Sequence, residues 1–153
     1  MADKRGVEAL YKLIDTLKVE LENNPFCNKV TIGTLTEVDL RKQTIFPLAH
    51  ITLNNVTHSD NSLTFSITIV NVDIVNVSKD ITDEYYGNDN LFYILTNQLF
   101  VINKLVSRLK EIEYSWELEG NPVSEVINKE LENMLAGYET TFSISVPNTI
   151  SKC

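Results

Sequence analysis

Between Ser62 and Ile69 the chain alternates without a break, Leu63, Phe65, Ile67 and Ile69 apolar and Ser62, Thr64, Ser66 and Thr68 polar. That period of two belongs to a strand with one face on a core and the other in water, and a half-buried strand needs partners and a covering layer. The same alternation returns at the end of the chain. There Tyr138, Phe142, Ile144 and Val146 face one way and Glu139, Thr141, Ser143 and Ser145 the other, until Pro147 ends the run. Any fold for this sequence must therefore bring a sheet together from distant segments.

The cover comes from stretches with helical spacing. Val7, Leu10, Ile14, Leu17 and Leu21 recur every three or four residues, with Lys12, Asp15, Lys18, Glu20 and Glu22 on the opposite side, and the pattern stops at Asn23-Asn24-Pro25. A second, longer helix is predicted from Leu91 to Ile112. Leu91, Leu95, Leu99, Ile102, Leu105, Leu109 and Ile112 form its stripe, Phe92, Ile94, Phe100, Val101 and Val106 widen it, and Asn88, Asp89 or Asn90 caps its start. A stripe that wide implies burial on more than one side.

Between the helices, Val30, Ile32 and Leu35 mark a short strand, and a further strand runs from Ile45 to Leu53 with Pro47 at an edge or ahead of its pairing. The turn His58-Ser59-Asp60-Asn61-Ser62 then leads into the long strand Leu63 to Val75, a β-hairpin. After Ile69 the apolar parity changes to Val70, Val72 and Ile74, which fits a β-bulge or a strand covered on both sides. Past the second helix, Tyr114, Trp116 and Leu118 read as a strand ended by Gly120-Asn121-Pro122. Val123, Ile127, Leu131 and Leu135, at i+4 spacing between Pro122 and Gly137, read as a short helix. The expected fold is a single α+β domain over 1–153. It has a mostly antiparallel sheet with a long hairpin, an N-terminal helix and one long central helix packed on one face, an acidic mobile loop at 78–90 and a frayed end at 148–153.

Chemistry is sparse. With 43% hydrophobic residues and 153 positions the chain can fill one core without disulfides or metal, and its two cysteines, Cys27 and Cys153, form no metal spacing. No run of about 18 apolar residues suggests a membrane span, and the N-terminus lacks the apolar centre of a signal peptide, so a soluble cytoplasmic product is expected. The net charge of −8 opposes a DNA-reading or anionic-membrane surface. GxSxG, GxGxxG, P-loop, HExxH and EF-hand patterns are missing. His50 and His58 do not pair into a metal or acid–base site, and Asp80, Asp83, Glu84 and Asp89 with Asn88 and Asn90 read as a solvated acidic turn rather than a calcium loop. Asp73 is either a half-buried carboxylate or a sheet-edge charge that discourages wrong pairing. No catalytic residue, cofactor or metal ligand is assigned, and no enzyme activity is expected.

The ending Leu135-Ala136-Gly137-Tyr138-Glu139-Thr140-Thr141-Phe142-Ser143-Ile144-Ser145-Val146-Pro147 resembles the closing strand of tailed-bacteriophage tail-terminator and tail-completion proteins. Phe46-Pro47-Leu48-Ala49-His50-Ile51, following an N-terminal helix and preceding a long hairpin strand, is similar to the start of the same family, as is a helix after an acidic loop beginning at Asp80. The resemblance implies a ring-forming structural subunit of a phage neck or tail, a tail terminator or head-to-tail connector that acts through protein–protein contacts. Its partners would be further copies of itself and other neck, portal-proximal or tail-tube proteins, in a virion assembled in the host cytoplasm. DNA would pass through the ring without specific binding, and no membrane would be involved. On this reading Phe65, Ile67, Ile69 and Val72 of the hairpin, with the long helix and Trp116, supply the contacts between subunits. The alternative is a small intracellular ligand-binding or regulatory α+β domain, whose long helix covers a pocket that His50 or Trp116 touches.

Overall fold

A computed structural model of the chain describes residues 5–33, 45–75, 90–111, 116–130 and 135–147. Helix α1 spans Arg5–Glu22 and α2 spans Leu91–Leu109; strands β1 to β5 span Lys29–Ile32, Leu48–His58, Ser62–Ile74, Glu117–Glu130 and Leu135–Pro147. The strands form one sheet in the order β1-β2-β3-β5-β4, antiparallel throughout except for the parallel pair β1–β2. The fold is α+β with a mostly antiparallel sheet.

One face of the sheet carries the main core. Ala49 and Ile51 of β2, Phe65, Ile67 and Ile69 of β3, and Phe142, Ile144 and Val146 of β5 meet Leu13, Leu17 and Leu21 of α1 and Val101, Ile102, Leu105 and Leu109 of α2. The alternation of β3 and the terminal strand explains this directly, since a pleated strand sends every second side chain to the same face. A salt bridge from Arg108 Nε to Glu20 Oε1, 3.3 Å long, ties the two helices together at the rim of that core.

The parity change after Ile69 has a plain cause. Asn71 and Val75 stay on the helix side, where Asn71 meets Gln98 and Val75 packs with Ile94 and Ala136, so β3 contains no bulge. Val70 and Val72 instead join Leu48 and Leu135 in a second cluster on the opposite face, with Phe46 and Ile127 packed against it. In the far half of β3 the apolar side chains Val70 and Val72 therefore lie on the face away from the helices, while the helix side carries Asn71 and Asp73.

Several expectations are corrected. The segment from Val123 is not a helix: β4 continues through Gly120-Asn121-Pro122 to Glu130 as the edge strand beside β5, with register shifts between Glu119 and Val123 and between Ile127 and Glu130. Four is twice the strand period and close to one helical turn of about 3.6 residues, so an i+4 spacing marks one face of a strand as well as a helix stripe. Val123 and Ile127 share the sheet face away from the helices. Pro122 is accommodated because edge strands and bulges are where a missing N–H costs least, and Gly120 supplies a left-handed φ of 62°. Gly137 does not cap a helix but sits within β5 opposite Val72, where a Cβ would collide with the Asn71 carbonyl. Asp73 lies on an interior strand, so it is no edge charge. Strand β2 starts at Leu48, immediately after Pro47, whose carbonyl accepts from the N–H groups of Asn28 and Lys29. The predicted strand residue Leu35, the acidic loop up to Asp89, and 148–153 lie outside the described residues.

Candidate functional site

The residues expected to meet neighbouring subunits are placed mostly inside the subunit. Phe65, Ile67 and Ile69 are 0–2% exposed beneath the two helices, and Val72 is fully buried in the second cluster. Side chains without accessible surface have none to offer a partner, so the assignment of these four to an interface is corrected. Their apolar character is used by the core. Trp116, at the entry to β4, is partly buried against the main core.

The histidines are equally committed to structure or solvent. His50 is fully buried, its Nε2 3.0 Å from the Gly33 carbonyl oxygen and its Nδ1 2.7 Å from the Thr31 hydroxyl. A carbonyl can only accept, so Nε2 carries the proton and Nδ1 accepts from Thr31. The ring thus pins the four-residue β1 to β2, and no surface of it reaches a ligand. His58 is exposed at the hairpin turn. Among the described residues no three His, Cys, Asp or Glu side chains converge as a metal site, and no helix is long and apolar enough to cross a membrane.

Sequence reading missed one buried polar device. Asn71 Nδ2 donates to the Gln98 backbone carbonyl at 2.8 Å and to its Oε1 at 3.1 Å, while Gln98 Nε2 donates to the Phe26 carbonyl at 3.2 Å. Both side chains are at most 1% exposed. The seam of α2 therefore runs through Ile94, Gln98, Val101, Ile102, Leu105 and Leu109, and the leucine run expected to be buried is rotated outward at Leu99. The signal was a polar residue at the heptad-like centre of an apolar stripe, visible only if Gln98 is allowed a buried partner. At the helix start Asn90 makes no side-chain cap and reaches the Ile74 carbonyl instead, at 3.4 Å.

That rotation exposes an apolar flank. On α2, Phe92, Tyr93, Leu99 and Phe100 are 46–56% exposed, Phe100 with its ring edge-on to Phe26; on β4, Val126 is 54% exposed on the helix side and Val123 66% exposed on the opposite face. Between α2 and β4 lies a groove of about 300 Å³ lined by Leu99, Ile102, Val106, Lys110, Pro122 and Ser124. β4 is the last strand of the sheet on this side. An edge strand with valines on both faces and an apolar helix next to it is a surface prone to pair with another chain.

The sheet face away from the helices has a different chemistry. Thr64, Ser66 and Thr68 of β3 lie beside Ser145, Ser143 and Thr141 of β5, and Asn54 Nδ2 donates to Thr68 Oγ1 at 2.7 Å, which is 2.9 Å from Thr141 Oγ1. Glu117, Glu119 and Glu125 of β4 border this lawn, Glu125 directly opposite Glu139. Strands β2, β3 and β5 contain no Lys or Arg at all.

Among the described residues three groups have a pKa moved from its ordinary value. Burial pushes the Cys27 thiol up from 9.0 to about 11, against the opposing effect of hydrogen bonds with Lys29 and Ala49. Burial likewise raises the Asp73 carboxyl, although the Ile74 N–H donates to it at 2.8 Å, and raises the Tyr138 phenol. Asp73 of β3 and Tyr138 of β5 are diagonal neighbours on the helix-side face, Asp73 pairing with Ala136 and Tyr138 with Asn71, whereas Cys27 lies elsewhere, ahead of β1; desolvation is the first cause of each shift. The chain matches no protein-family model and no curated protein.

Proposed function

We propose that this protein is a ring-forming structural subunit of a bacteriophage neck or tail, a tail terminator, tail-completion or head-to-tail connector protein that works through protein–protein contacts. The observation that carries the reading is the exposed apolar surface around the β4 edge, Leu99 of α2 and Val126 on the helix side and Val123 on the other face, which water solvates poorly and a neighbouring subunit would cover. The polar sheet face supports the rest. A surface of Ser, Thr, Asn and Glu whose three central strands β2, β3 and β5 carry no Lys or Arg offers phosphate little cationic attraction, which suits the wall of a DNA conduit. The protein would then reside in the virion tail or neck after assembly in host cytoplasm, against other neck, portal-proximal or tail-tube proteins.

Mass in solution by light scattering, followed by negative-stain imaging at high concentration, tests the proposal. A closed ring of one defined stoichiometry is expected. A strict monomer at every concentration, carrying a small bound metabolite, would overturn it in favour of a ligand-binding or regulatory domain.

A further inference from the structure

We infer that the subunits join edge to edge and head to tail, the β4 edge of one copy pairing with the β1 edge of the next, so that one sheet continues from subunit to subunit. The inference rests on the ring reading and specifies the surfaces that build it. The described sheet has two edges, β4 on one side and β1 on the other. Within β4, Val123–Ile127 pairs with β5 without a register shift, a straight segment of five residues; β1 offers four, Lys29–Ile32.

Direction, face and charge all match. Through β1-β2-β3-β5-β4 the strands run up, up, down, up, down, so β1 of a copy related by a ring axis along the strands meets β4 antiparallel. Val126, opposite Tyr138, and Ile32, in the same parity as the core residue Val30, both project on the helix side, and they are 54% and 50% exposed. Joined, they would continue the apolar layer next to the α2 flank. The alternative isologous contact, β4 against β4 about a two-fold axis, sets Glu117, Glu119 and Glu125 of the two copies along one seam, and Glu125 already opposes Glu139. Like charges across strands repel. β1 carries no carboxylate, so a β4–β1 seam lacks that repulsion. Heterologous contacts of this kind close into a ring when the rotation between neighbours closes, whereas an isologous one stops at a dimer.

The test uses the full-length chain and two edge-blocking variants, Val126→Asp and Ile32→Asp, with far-ultraviolet circular dichroism to verify folding. Each variant alone is expected to fall from the ring to the monomer mass in sedimentation. An equimolar mixture is expected to reach the mass of two chains and no more, because only one unblocked β4 edge and one unblocked β1 edge remain. Self-association of Ile32→Asp as a dimer, a mixture that stays monomeric, or variants that assemble like the wild type overturns the edge pairing while leaving the ring intact. A monomeric wild type overturns both readings. As a check free of charged substitutions, Val126→Cys with Ile32→Cys in a Cys153→Ser background should cross-link into ladders of several chains on mild oxidation. Val126→Cys alone giving the same covalent dimers would overturn the head-to-tail arrangement.

Discussion

Asn71 and Gln98 show how a single pair of polar side chains decides the rotation of a helix. Both are buried, and the three hydrogen bonds they make join β3, α2 and the turn after α1. Removing one member leaves buried donors and acceptors unpaired, which costs about 1–3 kcal/mol. Gln98→Ala is therefore expected to lower the unfolding free energy by about 2 kcal/mol, and the Asn71→Ala/Gln98→Ala double variant to lose less than the sum of the singles, as measured in a urea double-mutant cycle. Cys27 supplies a pH signature. Its thiolate is disfavoured in the fold, so the stability tied to the neutral thiol is complete below pH 9.0 and is lost as pH rises toward about 11. Cys27→Ala is expected to flatten the fall of melting temperature over that interval, and a thiol reagent at pH 8 should leave native Cys27 unmodified in mass spectrometry.

At the scale of elements, the strands β3 and β5 were legible because alternation survives any tertiary context, and α1 and α2 because apolar residues at mixed three- and four-residue steps, such as Val7-Leu10-Ile14-Leu17 and Leu99-Ile102-Leu105-Leu109, fit a helix and break the parity of a strand. β4 was not. Val123, Ile127, Leu131 and Leu135 satisfy a helix and a strand alike, and Pro122 and Gly137 have helix-boundary meanings that the sheet replaces with a bulge and a close strand approach. Gly137→Ala tests the latter: its methyl would strike the Asn71 carbonyl, so about 3 kcal/mol of destabilisation is expected in chemical denaturation, without the small gain that Gly→Ala brings in an unstrained strand. Ile67, fully buried at the middle of β3, has the same standing. Ile67→Lys places an unpaired charge in the main core and is expected to cost about 4 kcal/mol or more, close to the whole stability of a marginal domain. Loss of the folded far-ultraviolet spectrum and near-ultraviolet signal is the expected result; a folded monomer that merely fails to assemble would return Ile67 to the surface.

For the whole molecule, the net charge is −8, and four of its carboxylates share one face of the sheet. Glu117, Glu119, Glu125 and Glu139 collect on one face whose three central strands carry no basic side chain. That face should be inert toward nucleic acid. In a gel-shift assay at about 50 mM salt the protein is expected to leave duplex DNA unretarded, while Glu117→Lys/Glu119→Lys/Glu125→Lys should retard it and release it at about 200 mM salt, since phosphate contacts weaken steeply with counterion concentration. Retardation by the wild-type protein would show that the acidic face does not govern its dealings with DNA.

Local patterning determined the class of this fold: which segments alternate, which coil, and that an antiparallel sheet needs two helices to cover it. It also determined that the chain has no familiar catalytic or metal motif. Tertiary structure alone decided which apolar residues remain on the surface. Phe65, Ile67, Ile69 and Val72 were candidates for contact until two helices and a second cluster enclosed them, and Leu99 and Phe100 were candidates for the core until Gln98 took the buried position. A sequence shows how much apolar surface a chain carries, but only packing shows which part is already covered, because burial depends on neighbours brought in from 70 or more residues away, as Thr68 meets Thr141.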